Sequence, residues 1–428
     1  MIQIEKLYEI YKSHPSVQTD TRLVKEGDIF FALRGPRFNG NEFSGQALEK
    51  GAAYVVVDEP GTPGTGDNIL QVEDVLHSLQ ELAKYHRQQF RIPFIAITGS
   101  NGKTTTKELI HAVLSTRYQT YTTTGNLNNH IGIPLTLLKI KEDAEIAVIE
   151  MGANHQREIA GYCLYTLPTH GLITNAEKAH LEGFGGIEGV RKGKGELFDF
   201  LRENQGTAFV NWDLPYLREM SGGINKRVTY GTGDAGICGT IREAEPFVEV
   251  DIRRGPEFNG PIRSRMVGDY NLPNILAAVC VGHYFGIPGS GIRTAIENYS
   301  PSNSRSQLLD KGSNHFILDA YNANPTSMKA AIENFARLKK GPKILMLGGM
   351  AELGLDSLEE HRQLISLIGQ YPWDGVALVG GDFLKIDSPY PQFENPGLAR
   401  EWLDRQGLQG AYILVKGSRS MQMEKILV

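Results

Sequence analysis

Cysteine is scarce in this chain: three in 428 residues, at positions 163, 238 and 280. An odd count, widely spaced and without a Cys-x-x-Cys pair, excludes a disulfide framework and fits a reducing compartment. Long apolar runs are lacking too. The longest, near residues 275–281, is far too short to span a bilayer, so no membrane span is expected. The opening residues Met1-Ile2-Gln3-Ile4-Glu5-Lys6 carry an early acid, which argues against a secretory signal. A soluble, cytoplasmic protein is the expectation. A large excess of one charge is also absent: 44 Lys and Arg against 49 Asp and Glu give a net charge of −5. That weak bias argues against a nucleic-acid partner. With 41% hydrophobic and 22% charged residues, the composition excludes wholesale disorder. What is plentiful is glycine, 48 residues, a supply for turns and phosphate loops.

At roughly 100–200 residues per domain, the length suggests two to four domains. The pattern divides into segments 1–90, 91–300 and 301–428. In the first, 28–33 and 53–57 read as strands, and 42–50 as a helix ending at Gly51. Residues 60–66 read as a loop. Val75, Leu76, Leu79, Leu82 and Ala83 give 72–89 a helical period. The second segment opens with an apolar strand at 94–97, a glycine-rich turn and a helix pattern through Leu109, Ile110, Val113 and Leu114. Further buried strands are expected at 146–149, 171–174 and 207–210, and a helix at 271–285. Strands alternating with helices predict a parallel sheet covered on both faces. Residues 223–266 read instead as an antiparallel insertion. The third segment has strands at 316–318, 344–347, 376–379 and 412–415, with helices at 327–338, 357–368 and 397–405. It is a Rossmann-like unit without the Gly-x-Gly-x-x-Gly fingerprint. The fold class is therefore α/β throughout: an α/β N-terminal unit, a central parallel-sheet unit and a Rossmann-like C-terminal unit.

The densest chemistry lies in Gly99-Ser100-Asn101-Gly102-Lys103-Thr104-Thr105, which follows a strand and opens a helix. Glycines there let backbone N–H groups turn towards phosphate oxygens, and the helix N-terminus adds partial positive charge. Lys103 is placed to reach β- and γ-phosphates, and the Thr104 hydroxyl to bind Mg²⁺. The loop is the shorter Gly-x-x-Gly-Lys-Thr form, with Ile97 where the longer form has its first glycine. Glu150 ends the apolar strand 146–149, where open α/β sheets hold ligands, and a carboxylate there suits Mg²⁺. Asn126, Asn128 and Asn129 lie in a polar, glycine-containing stretch. That stretch reads equally as a capped turn or as an anion- or peptide-binding loop. His180 follows another strand end. Lys192 and Lys194 head a helix pattern and, by chemistry alone, look like a solvated basic stretch.

Taken in order, these motifs resemble the Mur ligases of peptidoglycan synthesis, three-domain ATP-dependent amide-forming enzymes, and within them the D-alanyl-D-alanine-adding branch. The resemblance spans nearly the whole chain. It rests on the loop at 98–106, on Gly125-Asn126-Leu127-Asn128-Asn129 and Glu150-Met151-Gly152-Ala153, and on the stretch from His180 to Glu196. In the third segment it rests on Asp319-Ala320-Tyr321-Asn322-Ala323-Asn324-Pro325 and Lys416-Gly417-Ser418-Arg419. It implies ATP and Mg²⁺ as cofactors, with Thr104, Glu150, His180 and a carbamylated Lys194 as metal ligands. Lys194 is favoured over Lys192 by its Lys-x-Glu-hydrophobic spacing. Lys103, Lys194 and His180 become the implied catalytic set. Asn271 and Asn274 would meet adenine, Arg305 the ribose or phosphates, and Asn322 the nucleotide. Thr21 and Arg22 resemble part of a UDP site; Asn126, Asn128, Asn129, Lys416 and Ser418 are implied substrate contacts. Some positions depart from the family pattern. Gly349 stands where an aspartate is usual, so an acid for the ribose hydroxyls is missing there. Asn39 and Asn41 replace Asp and His, Tyr270 a His, and Ser304 a Gly.

The implied activity is addition of D-Ala-D-Ala to UDP-MurNAc-tripeptide through an acyl phosphate, by a monomer. The competing readings are a sibling ligase, a folylpolyglutamate synthase-like ligase, and a P-loop relative that binds nucleotide without ligating.

Overall fold

The computed structural model describes residues 2–61, 67–302 and 304–427. Three main sheets follow one another along the chain, each covered by helices. The first is parallel and runs Val17–Gln18, Ile29–Phe31, Tyr54–Val57, Ile69–Gln71 in spatial order. Its side chains alternate. Ile29, Phe31 and Val56 pack with Leu7 and Tyr11 of helix Ile4–Ser13 and with Leu79 and Leu82 of helix Val75–Arg87. Phe30, Val55 and Val57 face the other way, onto Ala47 of helix Ser44–Glu49. Both faces are thus buried, which is why these strands read as continuous apolar runs. Gly51 sits at φ +96° just past that short helix, the left-handed position expected of a helix-stopping glycine. Of the loop expected at 60–66, residues 62–66 lie outside the described residues.

The central sheet has nine strands among the described residues. From one edge they run Ile262–Arg263, Glu249–Arg254, Ile237–Glu243, Lys226–Gly231, Thr207–Asn211, His170–Ile173, Phe94–Thr98, Ile146–Glu150 and Thr120–Thr122. Phe94–Thr98 is flanked in parallel by His170–Ile173 and Ile146–Glu150. The chain completes the strands on one side of it before those on the other, so its carboxyl end is a topological switch point, the usual place for a ligand crevice. Ile95, Ile97, Val148 and Leu172 pack on helices Lys103–Leu114 and Leu272–Tyr284. Phe94, Ala96, Ala147 and Ile149 face helices Gly132–Leu137, Glu158–Thr166 and Ile187–Glu203.

One expectation is corrected here. Residues 223–266 are not a separate antiparallel insertion. Lys226–Gly231 pairs parallel with Thr207–Asn211, and Ile237–Glu243 pairs parallel with Lys226–Gly231. Only Glu249–Arg254 and Ile262–Arg263 turn antiparallel. The reason is burial: Tyr230, Ile237, Val250 and Ile262 join the same core as helix Leu272–Tyr284, so the segment extends the sheet under that helix.

The third sheet runs Gln307–Lys311, Asn314–Asp319, Tyr412–Lys416, Lys343–Gly348, Gly375–Val379, Gln392–Phe393. Its first pair is an antiparallel hairpin and the rest are parallel. Asp319 and Lys416 lie side by side at the ends of neighbouring strands. No helix among the described residues is long and apolar enough to cross a membrane.

Candidate active site

The carboxyl end of Phe94–Thr98 opens into a cavity of about 670 Å³, a size usual for small-molecule sites. One wall belongs to the central unit and the facing wall to the C-terminal unit. On the first wall the chain leaves the strand through Gly99, at φ +144°, where a Cβ would fall 2.0 Å from Thr174 Oγ1. Gly102, at φ +80°, caps helix Lys103–Leu114, and a Cβ there would meet Asn274 Oδ1 at 2.6 Å. Glycine is therefore demanded at both points by conformation and by space. The loop is tied to the neighbouring strand end: Ser100 N–H donates to Asn175 O (3.0 Å), and Asn101 N–H to Asn175 Oδ1 (2.9 Å). The Ser100 hydroxyl donates to Glu177 O at 2.8 Å.

Lys103 lines the cavity and donates its ammonium to Gly99 O (2.6 Å) and Ser100 O (3.1 Å). Burial pushes its pKa down to about 8. Glu150 and Glu352 oppose the shift, and Arg305 adds to it. Glu150 is 1% exposed. Its Oε1 accepts from Asn128 Nδ2 (2.7 Å), and its Oε2 is buried with no hydrogen-bond partner among the described residues. A buried carboxylate oxygen left unpaired costs desolvation energy unless a cation joins it. Thr104, at the helix start, lines the same cavity. No group of three or more His, Cys, Asp or Glu side chains that could hold a metal ion occurs among the described residues. One carboxylate and one hydroxyl beside a phosphate loop is a donor set that fits Mg²⁺, which is bound largely through substrate phosphates and water.

Lys194 is 0% exposed, whereas Lys192 two residues earlier faces solvent. The Lys194 ammonium donates to Ala153 O at 2.9 Å and lies 4.9 Å from the centre of the Phe184 ring. Burial drives its pKa well below the usual lysine range, and Lys103 pushes the same way. Lys194 does not itself line the cavity; Ala153, its acceptor, does. Its neighbour Glu196 accepts from the N–H groups of Arg157 (2.6 Å) and Ala160 (2.9 Å), so it holds the start of helix Glu158–Thr166. The stretch that looked like a solvated basic run lies on helix Ile187–Glu203, with Lys192 turned outward and Lys194 turned inward.

The facing wall begins with helix Pro325–Arg337, capped by Asn324, whose Oδ1 accepts from Ser327 N–H. Asn324 Nδ2 donates to Asn101 Oδ1 at 2.7 Å, so two helix N-termini meet over one cavity. Such termini favour anions. Arg305 stacks on Tyr321 at 3.7 Å, and its Nε is buried without a partner among the described residues. Lys416 pairs with Asp319 at 2.5 Å. Arg305, Tyr321, Asn322, Asp319 and Lys416 all line the cavity. His180 lines it from the central unit, and its Nδ1 meets the carboxylate of Glu352 from the C-terminal unit. A second ion pair, Lys178 with Glu360 at 2.6 Å, crosses the same seam.

Several expected contacts sit differently. Asn271 and Asn274 line the cavity, but their side chains form a chain: Thr106 donates to Asn274, Asn274 to Asn271, and Asn271 to Val267 O. Their first task is to fasten the phosphate-loop helix to helix Leu272–Tyr284. Asn129 lines the cavity while its Oδ1 caps helix Gly132–Leu137, accepting from Ile131 and Gly132 N–H. Asn126 lies outside the lining and is exposed. Ser418 is 1% exposed and outside the lining, with its hydroxyl between Ala323 O (3.3 Å) and Ala351 N–H (2.8 Å). It clamps two loops together instead of facing a ligand. Thr21 and Arg22 also lie outside this cavity, on the N-terminal unit, and Arg22 grips Asp20 through its guanidinium. A Cβ on Gly349 would point at Gly380 O and Gly381 Cα, both at 3.1 Å, away from the lining. Residues given no role of their own from sequence include Asn175, Glu177 and Glu352, and also Asp319 and Asn324, which stood only inside a matching motif. Asp319 ends a strand, the same signal that marked Glu150.

A phosphate loop on a parallel sheet, facing a second α/β unit across a cavity with unpaired buried charge, defines a nucleotide-using enzyme of the ligase or transferase kind. Comparison with known proteins narrows this. The family descriptions "Mur ligase family, catalytic domain", "Mur ligase middle domain" and "Mur ligase, glutamate ligase domain" match residues 15–87, 97–282 and 304–419. The UDP-N-acetylmuramoyl-tripeptide--D-alanyl-D-alanine ligase of Bacillus subtilis (strain 168) is 37% identical, over 96% of this chain and 92% of that protein. A crystal structure of MurF from Acinetobacter baumannii superposes with a TM-score of 0.89 at 29% identity, covering 99% of this chain and 97% of that one. The MurF ligase of Thermotoga maritima in complex with ADP gives 0.86 at 27% identity, covering 100% and 97%. The chain belongs to the Mur ligase family.

Proposed function

We propose that this protein is an ATP-dependent amide ligase that adds D-Ala-D-Ala to UDP-MurNAc-tripeptide, in cytoplasmic synthesis of peptidoglycan precursor. The observation that carries this reading is the single cavity in which Lys103, Glu150 and His180 of one wall face Arg305, Asp319 and Lys416 of the other. The names of its relatives give the substrate class.

A carboxylate is a poor electrophile, so the tripeptide carboxylate attacks the γ-phosphorus of ATP. ADP leaves and an acyl phosphate forms. The free amine of D-Ala-D-Ala then attacks the acyl carbon, and phosphate leaves as the amide forms. Phosphoryl transfer needs positioning and charge neutralisation more than covalent help. The loop N–H groups at 99–105 and the ammonium of Lys103 hold the β- and γ-phosphates. Asn324 and Arg305 close over the nucleotide from the other wall, with Asn271, Asn274 and Asn322 beside it. Thr104 and Glu150 would hold Mg²⁺, and His180 with a carbamylated Lys194 a second ion, to supply charge neutralisation at the phosphates. Asn128 orients Glu150. For Lys194 the supporting observation is burial that favours the neutral amine, the form that attacks CO₂ to make a carbamate, whose oxygens suit Mg²⁺. The N-terminal unit, 1–90, holds the UDP end through Thr21 and Arg22. The central unit, 91–300, and C-terminal unit, 301–428, enclose the reaction and exclude water from the acyl phosphate.

The test is phosphate release with ATP, Mg²⁺ and UDP-MurNAc-tripeptide, with and without D-Ala-D-Ala, read together with product mass. Release that depends on the dipeptide, with a pentapeptide product, supports the reading. Dipeptide-independent hydrolysis, or no product from either a diaminopimelate- or a lysine-containing tripeptide, sinks it.

A further inference from the structure

Glu352 reaches His180 across the seam between two units, and both ends of that contact have unusual backbone. His180 sits at φ +51° and Glu352 at φ +62°, a region that residues with a side chain seldom occupy. Such outliers persist where the surrounding structure over-determines them, and they cluster at functional sites. The Glu352 loop is fixed by its own unit: Met350 N–H donates to His361 Nε2 (3.0 Å) and Ala351 N–H to Ser418 Oγ (2.8 Å). At Gly354 the loop lies against Glu182, whose Cβ is 3.1 Å from where a Gly354 Cβ would be. The His180 ring lines the cavity, and its buried Nδ1 has the Glu352 carboxylate at ion-pair range but no aligned hydrogen bond among the described residues. Lys178 with Glu360 joins the same two units, but neither of the pair lines the cavity.

We propose that Glu352 is a positioning residue for His180. Docking of the C-terminal unit brings its carboxylate to Nδ1. That fixes the proton on Nδ1, sets the ring orientation and leaves Nε2 as the nitrogen free for a ligand. A carboxylate on the far nitrogen is the usual way to orient a ligating imidazole. Here the orienting group comes from a different unit, so the ring is set only when the two units are docked. The inference rests on the reading of His180 given under Proposed function.

The experiment uses the full chain labelled with ¹⁵N-histidine, without ligand, at pH 8. Long-range ¹H–¹⁵N spectra report which ring nitrogen carries the proton, and the His180 signals are those lost in His180→Ala. The parent is expected to show the Nδ1–H form. Glu352→Ala moves His180 towards the Nε2–H form, Glu352→Gln keeps Nδ1–H because it keeps an acceptor, and Lys178→Ala moves the tautomer much less than Glu352→Ala does. In steady-state assays Glu352→Ala lowers kcat about 10–100-fold while KM for ATP stays within about twofold, and Glu352→Gln recovers most of the loss. Glu352 is half exposed, so the variants are expected to melt with the parent, and the Gln variant keeps the test decisive if the Ala variant does not fold. An unchanged tautomer in Glu352→Ala, or an equal shift in Lys178→Ala, overturns the proposal and leaves the ligase reading standing. If His180→Ala itself keeps the parent kcat, the assignment of His180 fails and the proposal fails with it.

Discussion

The two walls of the cavity are built on different principles. The phosphate-loop wall is tied to itself: Ser100 and Asn101 to Asn175 and Glu177, Thr106 to Asn274, Glu150 to Asn128. All of these partners belong to the central unit: Asn274 on helix Leu272–Tyr284, and Asn128, Asn175 and Glu177 in the loops between its strands and helices. The facing wall meets it through side-chain contacts across a seam: Asn324 to Asn101, Lys178 to Glu360, Glu352 to His180 and Arg337 to Asp269. The first wall is preorganised and carries the groups that touch phosphate. The second is docked, and side chains crossing water-accessible seams are individually worth little. The difference teaches where to expect rigid chemistry and where to expect a step that opens and closes.

The comparison breaks hardest at the first wall. Lys103→Met removes an ammonium beside Glu150 and is expected to lower dipeptide-dependent ADP formation by about 10²–10³-fold, the usual cost of one preorganised transition-state donor. Glu150→Gln keeps the hydrogen bond to Asn128 but discharges the orphaned oxygen, and is expected to cost about 10²-fold and raise the Mg²⁺ needed for half-maximal rate. Both variants should melt close to the parent. Activity within tenfold of the parent in either would mean that the preorganised wall is not where phosphate is handled.

Next in size is Lys194. Lys194→Ala is expected to lower kcat about 10–100-fold, by analogy with loss of groups that support a metal site. Added acetate or propionate should restore part of the rate by replacing the carbamate oxygens. A variant as active as the parent, or one indifferent to short carboxylic acids, removes Lys194 from the mechanism.

Much of the first wall was legible in the sequence because its cause is local. A strand, a glycine turn and a helix start occur within a dozen residues, and Glu150 is simply the last residue of an apolar strand. The Lys194 environment was not legible from chemistry alone. Lys192-Gly193-Lys194-Gly195 looks solvated until helix Ile187–Glu203 is seen to turn Lys194 inward beneath Ala153. The seam was least legible. Glu352 and Glu360 find His180 and Lys178 from more than 170 residues away in sequence, and no periodicity encodes such a pairing. Ser418 shows the opposite failure: a residue in a matching motif whose hydroxyl is spent on Ala323 and Ala351. The strands after residue 223 were misjudged because short, turn-rich strands look alike whether they start a new sheet or extend an old one. Burial against helix Leu272–Tyr284 decides between the two.

A smaller effect sharpens the electrostatics of the first wall. The Lys103 pKa is lowered to about 8 by burial, so below that pH the lysine is charged and above it the charge is lost. A phosphate binds the charged form, so nucleotide affinity is fully present below pH 8 and falls as pH rises through it. For this one group the ADP dissociation constant, measured without Mg²⁺, is expected to rise about tenfold between pH 7 and pH 9, with proton uptake on binding near pH 8. Calorimetry in buffers of different ionisation enthalpy reads both quantities. Lys103→Met should flatten the slope, and an equal slope in that variant would assign the titration to another group.

The smallest effect belongs to the seam itself. In the Lys178–Glu360 pair Lys178 is about half exposed while Glu360 is only 9% exposed. Water can reach the lysine end, so Lys178→Ala is expected to weaken docking of the C-terminal unit by about 0.5–1 kcal/mol. That is too little to stop turnover, yet enough to shift a balance between open and closed forms. Small-angle scattering with ADP and Mg²⁺ should give a slightly larger mean radius for the variant than for the parent, and added salt should move the parent towards the variant while leaving the variant almost unchanged. A variant whose radius and salt response match the parent would mean that the pair is incidental, and that Asn324 and Glu352 hold the second wall without it.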